Sequence, residues 1–275
     1  MSDRYAVIGN PVEHSKSPLI HAAFARQTGQ DIEYASILAP LDGFKQTVTD
    51  FFRRGGRGAN VTVPFKFAAY DLAAANASER AHDAGAANTL MFEGGKIICD
   101  NTDGVGLVTD IQNNLGIAIQ NKRILLIGAG GAAGGVLHPI FEQQPALLVI
   151  ANRTLDKAMS MKKKVEEKGE FRFVSVAANE FDELDGQSFD IVINATSAGL
   201  TDSILPIPTG IFAPGALAYD MMYGRETPFM AFARRQGAEV VDGLGMLVEQ
   251  AALAFSWWRG VQPETKPVIA LLRHT

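Results

Sequence analysis

The sequence predicts a two-domain α/β protein, and three observations carry that expectation. Short apolar strands alternate with helical segments along most of the 275 residues. The turn Glu93-Gly-Gly-Lys96 inserts an antiparallel hairpin into the first α/β region. Further on, the apolar strand Arg123-Ile-Leu-Leu-Ile127 runs straight into Gly128-Ala-Gly-Gly-Ala132 and then into helix-forming residues, an order that marks a second, parallel sheet.

In the first region, residues 5–8, 33–38, 58–61, 88–92 and 96–100 read as strands, with helices near 18–28, 43–54 and 78–82. A helix over 104–115 leads into the second region. Its strands after 123–127 are expected at 146–151, 171–176, 191–194, 217–220 and 239–241. Residues 246–259 form an apolar helix with very few charges, and a shorter tail follows Pro267. There is no internal repeat or low-complexity tract.

Composition fits a globular enzyme with one or two full cores, at 47% hydrophobic and 20% charged residues. No apolar run reaches transmembrane length, and Met-Ser-Asp-Arg leads into a strand instead of a signal peptide, so a cytoplasmic protein without a membrane partner is expected. The single cysteine, Cys99, excludes an internal disulfide framework and a cysteine-based zinc site; it is expected to pack at a strand end, and no metal is expected. A net charge of −5 argues against nucleic acid as a partner.

The glycine loop reads as a dinucleotide site because a second strand, 146–151, follows about one helix later. Gly128 permits the tight turn, Gly130 lets the backbone approach a pyrophosphate, and Ala133 takes the small third position against the sheet. The free N–H groups of the helix then point at the phosphates. In NAD sites an acidic residue about 20 positions on takes the ribose 2′-hydroxyl. Asn152-Arg153 stands there instead, with Lys157 in the first turn of the next helix, which favours NADP over NAD. The plainer reading makes Arg153 and Lys157 surface charges and Thr154 an N-cap.

Other polar residues leave two readings each. Ser17 before Pro18 reads as an N-cap and helix start, yet Ser15 and Ser17 beside a helix N-terminus equally suit a substrate carboxylate. Thr62 and Lys66, in Asn60-Val-Thr-Val-Pro-Phe-Lys66, fall past a strand's carboxyl end, where open α/β sheets bind ligands; a lone lysine is more commonly a surface charge. Asp103 is either a turn or N-cap residue or a functional carboxylate, with Asp100 in the same loop. Asn88 suits a turn or a hydroxyl ligand. Gln250 is flanked at helical spacing by Met246, Leu247, Leu253 and Ala254, so its amide enters an apolar face and needs a partner.

Taken together the segments resemble shikimate dehydrogenases over nearly the whole chain. Ser15-Lys-Ser-Pro18, Asn60-Val-Thr-Val-Pro-Phe-Lys66, Gly85-Ala-Ala-Asn-Thr89, Asp100-Asn-Thr-Asp-Gly104, Gly128-Ala-Gly-Gly-Ala132, Asn152-Arg-Thr154, Asn194-Ala-Thr-Ser-Ala-Gly199 and Asp242-Gly-Leu-Gly-Met-Leu-Val-Glu-Gln250 follow the family's order. The resemblance implies that Ser15 and Ser17 hold a substrate carboxylate. It implies that Thr62, Asn88, Asp103 and Gln250 bind ring hydroxyls or position Lys66, the acid/base group, with Tyr223 lining the substrate cleft. On the cofactor side it implies Gly128, Ala129, Gly130, Gly131 and Ala132 at the pyrophosphate of NADP(H), and Asn152, Arg153, Thr154 and Lys157 at the adenosine phosphate. Thr196, Met221 and Gly243 would lie near the nicotinamide, and Glu79 would touch the cofactor from across the cleft.

The implied reaction is reversible reduction of 3-dehydroshikimate to shikimate by NADPH. A lysine in water is a poor base at neutral pH, so Asp103 is expected to orient Lys66 more than activate it. The expected division is 1–103 with 247–275 for the substrate domain and 104–246 for the Rossmann-type domain, with the C-terminal helices returning to the first domain and the site in the cleft between domains. A monomer and a homodimer both suit this reading. Two departures from the family pattern, Gly134-Gly135 after the loop and the stretch 200–208 with Thr201-Asp-Ser-Ile204, bear on cofactor geometry only.

Three rivals are weaker. A quinate/shikimate dehydrogenase using NAD sits poorly with Asn152-Arg153-Thr154. A non-catalytic NADP- or shikimate-binding regulator needs no proton donor, yet the chain has Lys66 and Asp103 together. A dehydrogenase acting on a folate or an amino acid leaves Ser15, Ser17 and Gln250 unexplained.

Overall fold

The computed structural model describes residues 2–168, 174–200 and 203–274. It forms two compact units, Met1–Gly106 with Leu247–Thr275, and Leu107–Met246.

In the first unit β1 (Asp3–Gly9), β2 (Ile32–Leu38), β3 (Gly56–Val61), β4 (Thr89–Glu93) and β5 (Lys96–Asp100) form one sheet in the order β2-β1-β3-β4-β5. β1 is parallel to β2 and β3, whereas β4 is antiparallel to both β3 and β5. The β4–β5 turn matches the sequence expectation: Gly94 and Gly95 have φ of 58° and 77°, a conformation that side chains resist. The helices are α1 (Ser17–Thr28), α2 (Phe44–Arg53), α3 (Lys66–Ala73) and α4 (Glu79–Ala84). One face of the sheet buries Ile8, Phe44, Val48, Phe52, Phe65, Leu90 and Cys99. Cys99 therefore packs near a strand end as expected. Residues 247–259 of the long helix α9 (Leu244–Arg259) belong to this unit. There Trp258 stacks on Tyr5 at 4.8 Å and its Nε1 donates to the Leu90 carbonyl at 3.0 Å.

The second unit holds β6 (Arg123–Ile127), β7 (Leu147–Ala151), β8 (Ser175–Asn179), β9 (Phe189–Asn194), β10 (Phe212–Asp220) and β11 (Glu239–Asp242). All pair in parallel, in the order β11-β10-β9-β6-β7-β8. The chain reverses its direction of travel across the sheet at β6 and β9, the position where doubly wound folds bind ligands beyond the strands' carboxyl ends. Both faces are covered, so the central strands β6, β7 and β9 are mostly apolar and buried, while the edge strands β8 and β11 are more polar and only partly buried. Ile124 and Leu126 of β6 face one core with Val136, Ile140 and Tyr219, while Leu125 and Ile127 face the other with Val149, Phe189 and Val192.

Several boundaries differ from the sequence reading. Lys16, not Ser17, occupies the cap position of α1, and Ser17 is its first helical residue; no side chain caps the helix. The segment from 104 is helical from Asp103 only to Thr109 (α5), then widens into a π turn over Asp110–Asn114, where the Asp110 carboxylate accepts from the Asn114 amide and from the buried Tyr219 hydroxyl. β8 begins at Ser175, while residues 171–173 of the expected strand lie outside the described residues, as do Thr201 and Asp202. β10 begins five residues before the expected strand, with an irregularity between Phe212 and Leu217 that accommodates Pro214 and Gly215. Helices α3 and α8 (Pro228–Arg235) were not resolved by periodicity alone. Among the described residues no helix is long and apolar enough to cross a membrane.

Candidate functional site

The first unit gathers its polar side chains around the carboxyl end of β3 and the turn leaving β5. β3 ends at Val61, Pro64 beyond it cannot donate to a neighbouring strand, and α3 starts at Lys66. The Lys66 carbonyl accepts from the Ala87 amide at 2.9 Å, tying this helix start to the loop that carries Asn88. Asp103 opens α5, with its amide donating to the Asn101 side chain at 3.2 Å. The two loops bring Lys66 Nζ within 2.5 Å of Asp103 Oδ2.

Asn88 is the hub of this cluster. Its amide nitrogen donates to Asp103 Oδ1 at 2.8 Å and to Gln250 Oε1 at 3.1 Å, and lies 2.9 Å from the Thr102 hydroxyl. Its side-chain oxygen accepts from the Thr102 amide at 2.8 Å and the Thr89 hydroxyl at 3.0 Å. Gln250, buried as its apolar neighbours required, also donates to the Leu247 carbonyl at 2.8 Å. Both buried amides thus have partners, which fixes the rotamers around Lys66. Asp100 does not join this group: Ser78 and Arg80 hold its carboxylate, the latter through two nitrogens at 3.2 and 2.5 Å.

A second layer supports Ser15 and Ser17. The Ser15 hydroxyl lies 3.1 Å from the Ser17 hydroxyl and accepts from the Ser17 amide at 3.3 Å. Behind them the Tyr34 hydroxyl donates to the Asn60 side-chain oxygen at 2.7 Å, and His21 Nε2 lies 3.1 Å from the same oxygen. The His21 and Tyr34 rings stack at 4.2 Å. Burial raises the Tyr34 hydroxyl well above its ordinary range, opposed by its hydrogen bond with Ser17, and burial lowers His21 to about 3, opposed by Asn60. Both rings are therefore neutral at pH 7. Thr62 sits at the mouth of β3, its amide donating to the Ile8 carbonyl at 3.0 Å.

In the second unit the loop after β6 lies at the reversal of strand order. Gly128 has φ of 115°, and a Cβ there would come within 3.2 Å of the Ala195 carbonyl and the Thr196 methyl. Ala129 and Gly130 complete the loop, and Gly131 and Ala132 open α6 (Gly131–Glu142) with their amides unpaired within the helix. A Cβ on Gly130 would meet nothing within 4 Å, so an approaching phosphate finds open space over helix donors. Ala133 is fully buried against the sheet. Asn152, Arg153 and Thr154 follow β7, and Lys157 lies in the first turn of α7 (Leu155–Lys168). Arg153 and Lys157 are exposed and have no ion-pair partner among the described residues, leaving two cations free for a phosphate. These features fit a dinucleotide with an additional phosphate.

Thr196, Met221 and Gly243 follow β9, β10 and β11. The Met221 amide donates to the Asn194 carbonyl at 3.0 Å and the Gly243 amide to the Met222 carbonyl at 2.8 Å, so the three loops are stitched together. Tyr223 lies in the loop after β10, and Glu79 is an exposed residue at the start of α4. Among the described residues no group of three or more His, Cys, Asp or Glu side chains is placed to hold a metal ion. Sequence reasoning assigned no role to Asn60, Thr102, Asn194 or Asp220; the signal for the first three was a polar residue at a strand end inside a motif already singled out.

A lysine–carboxylate pair on one α/β unit and a glycine loop at the switch point of a parallel six-stranded unit place the chain in the class of two-domain α/β dehydrogenases. Residues 7–90 match the family described as shikimate dehydrogenase substrate binding domain, residues 110–202 the shikimate / quinate 5-dehydrogenase family, and residues 243–273 the shikimate 5′-dehydrogenase C-terminal domain. A shikimate dehydrogenase (NADP(+)) of Methylobacillus flagellatus is 62% identical over 272 residues, which are 98% of this chain and 99% of the relative. The chain belongs to the shikimate dehydrogenase family. Among solved structures, an Ael1 enzyme from Pseudomonas putida is 49% identical with a TM-score of 0.90, covering 98% of each chain. A shikimate 5-dehydrogenase from Thermus thermophilus, in complex with NADP(H) and shikimate, is 29% identical with a TM-score of 0.84, covering 99% of each chain.

Proposed function

We propose that this chain catalyses the reversible, NADP-dependent interconversion of shikimate and 3-dehydroshikimate. The observation that carries this reading is the 2.5 Å contact between Lys66 and Asp103, closed on its far side by Asn88 and Gln250. A relative's complex with NADP(H) and shikimate supports the choice of ligands.

In this reading the bound NADP(H) supplies or takes up the hydride. Gly128, Ala129, Gly130, Gly131 and Ala132 hold its pyrophosphate, Asn152, Arg153, Thr154 and Lys157 its adenosine phosphate, and Thr196, Met221 and Gly243 its nicotinamide end. Glu79 and Tyr223 are further contacts of cofactor and substrate, respectively. Ser15 and Ser17 bind the ring carboxylate with donors whose orientation Tyr34 supports. Thr62, Asn88, Asp103 and Gln250 bind ring hydroxyls or hold Lys66 in place.

Ketone reduction builds negative charge on the carbonyl oxygen, and a proton must arrive there. Lys66 Nζ donates it; in the reverse direction the neutral amine takes the hydroxyl proton. Asp103 keeps the ammonium at one place and balances its charge as the site desolvates. Because Asn88 donates to the other Asp103 oxygen, the carboxylate cannot rotate away from the lysine.

Steady-state assays crossing shikimate and quinate with NADP and NAD test the reading. NADP reduction with shikimate, at least about tenfold more efficient than any other combination, is expected, since each lost charge-assisted contact is worth that much or more. Comparable turnover with quinate or NAD, or ligand binding without turnover, would contradict it.

A further inference from the structure

We infer that Asp220 is a positioning residue for the nicotinamide half of the cofactor site, acting through the amide of Asn194. The inference rests on the cofactor reading above and names a residue outside every contact assigned there.

Asp220 ends β10 and is fully buried. Its Oδ1 accepts from the Met222 amide at 3.0 Å, and its Oδ2 from the Thr227 hydroxyl at 2.5 Å and the Asn194 amide nitrogen at 3.3 Å. Burial, with the nearby Asp242 charge, raises its pKa, opposed by the hydrogen bonds from Thr227, Met222 and Asn194; all three of these neighbours donate, so both oxygens act as acceptors.

The geometry around Asn194 gives this carboxylate a reach beyond its own loop. Asn194 ends β9, next to Asp220 in register on β10. Its amide has two distinguishable ends. The oxygen accepts from the Thr196 hydroxyl at 2.7 Å and the Thr196 amide at 3.1 Å, while the nitrogen points at Asp220. A carboxylate accepts and never donates, so it forces the nitrogen of Asn194 toward itself and the oxygen toward Thr196. Thr196 in turn presents its methyl 3.2 Å from where a Cβ on Gly128 would stand, and its hydroxyl accepts from the Ala198 amide at 3.3 Å.

On the other side Asp220 organises the loop after β10. It holds Met222 directly and fixes Thr227, whose hydroxyl also caps α8 by accepting from the Met230 amide at 3.2 Å. The Gly243 amide bonds to the Met222 carbonyl, so the loop after β11 follows. One buried charge thus sets the positions of Thr196, Met221 and Gly243, while the loop at the pyrophosphate and the cations after β7 make no bond to it.

The separation between the two halves of the site supplies the test. In Asp220→Asn an NH2 group replaces one acceptor oxygen and faces donors. The kcat/KM for NADP with shikimate is expected to fall about tenfold, the size of one lost charge-assisted hydrogen bond. The inhibition constant of 2′,5′-ADP, which carries only the adenosine half, is expected to stay within about twofold of wild type, because its contacts do not involve Asp220. Asn194→Asp, which sets two carboxylates against each other, is expected to show the same split and serves if Asp220→Asn does not fold. The exchanged pair Asp220→Asn with Asn194→Asp restores a donor facing an acceptor and is expected to recover activity. Loss of 2′,5′-ADP binding in parallel with NADP, or no change in either, would overturn the inference. Failure of 2′,5′-ADP to compete with NADP in the wild-type chain would overturn the cofactor reading itself, and the inference with it.

Discussion

Lys66 Nζ lies 2.5 Å from Asp103 Oδ2, with only 18% and 7% of the two side chains exposed, so the contact is an ion pair screened little by water. Such a pair draws its value from geometry as much as from Coulomb attraction. Removal of one partner leaves the other charge largely buried, and loss of Asp103 also leaves the Asn88 amide short of an acceptor.

Asp103→Asn keeps the shape of the side chain and removes its charge. It is expected to lower kcat by about a hundredfold, the scale of a positioned acid/base group that has lost its orientation, while NADP affinity is unchanged. Steady-state kinetics with both substrates varied check this. A kcat within about twofold of wild type would show that Lys66 needs no anchor.

Arg153 is exposed and has no acidic partner among the described residues, so its charge is available to a phosphate. Arg153→Ala is expected to raise KM for NADP by about tenfold or more and to leave KM for NAD nearly unchanged, because only the former carries the 2′-phosphate. The ratio of the two KM values is the readout. A uniform change for both cofactors would move the phosphate site elsewhere.

His21 gives a pH signature. Burial lowers it from 6.5 to about 3, so the unfolded chain takes up a proton that the folded chain refuses. Its contribution to stability is complete above pH 6.5, erodes as the pH falls toward about 3, and levels off below that. Between pH 7 and pH 5 this amounts to about 2 kcal/mol, at ~1.4 kcal/mol per unit below the unfolded value. Urea midpoints of wild type and His21→Phe at the two pH values isolate it. Wild type is expected to lose more stability on acidification than the variant, and parallel losses would contradict the assignment.

Much of this organisation was legible in the sequence because it rests on local rules. The hairpin at Gly94-Gly95 and the glycine loop both depend on backbone conformations that few residues adopt, and Gln250 betrayed itself as an amide among apolar neighbours. What sequence did not reveal was pairing between distant segments. Lys66 and Asp103 lie 37 positions apart, and Asn88 and Gln250 lie 162 apart, so no periodicity links them. Helix α3 went unread because its cap position is Phe65, whose side chain accepts no hydrogen bond, while Pro64 drew attention as a strand end. Ser17-Pro18 did mark the helix start, but not the cap: the serine turns to Ser15 and leaves the cap position to Lys16. Helix α8 did carry a legible start, Thr227-Pro228, with Thr227 capping as the rule requires. Asp220 and Asn194 were illegible as a pair because their roles arise only from parallel register.

Whether Lys66 carries the proton is tested most directly by kcat of Lys66→Ala at saturating shikimate and NADP, measured beside the Kd of each ligand. A fall of about 10²–10⁴-fold in kcat, the range for general acid–base catalysis, with NADP affinity unchanged, is the expected result. A near-wild-type rate would remove Lys66 from the chemistry and leave the pair with Asp103 a structural contact only.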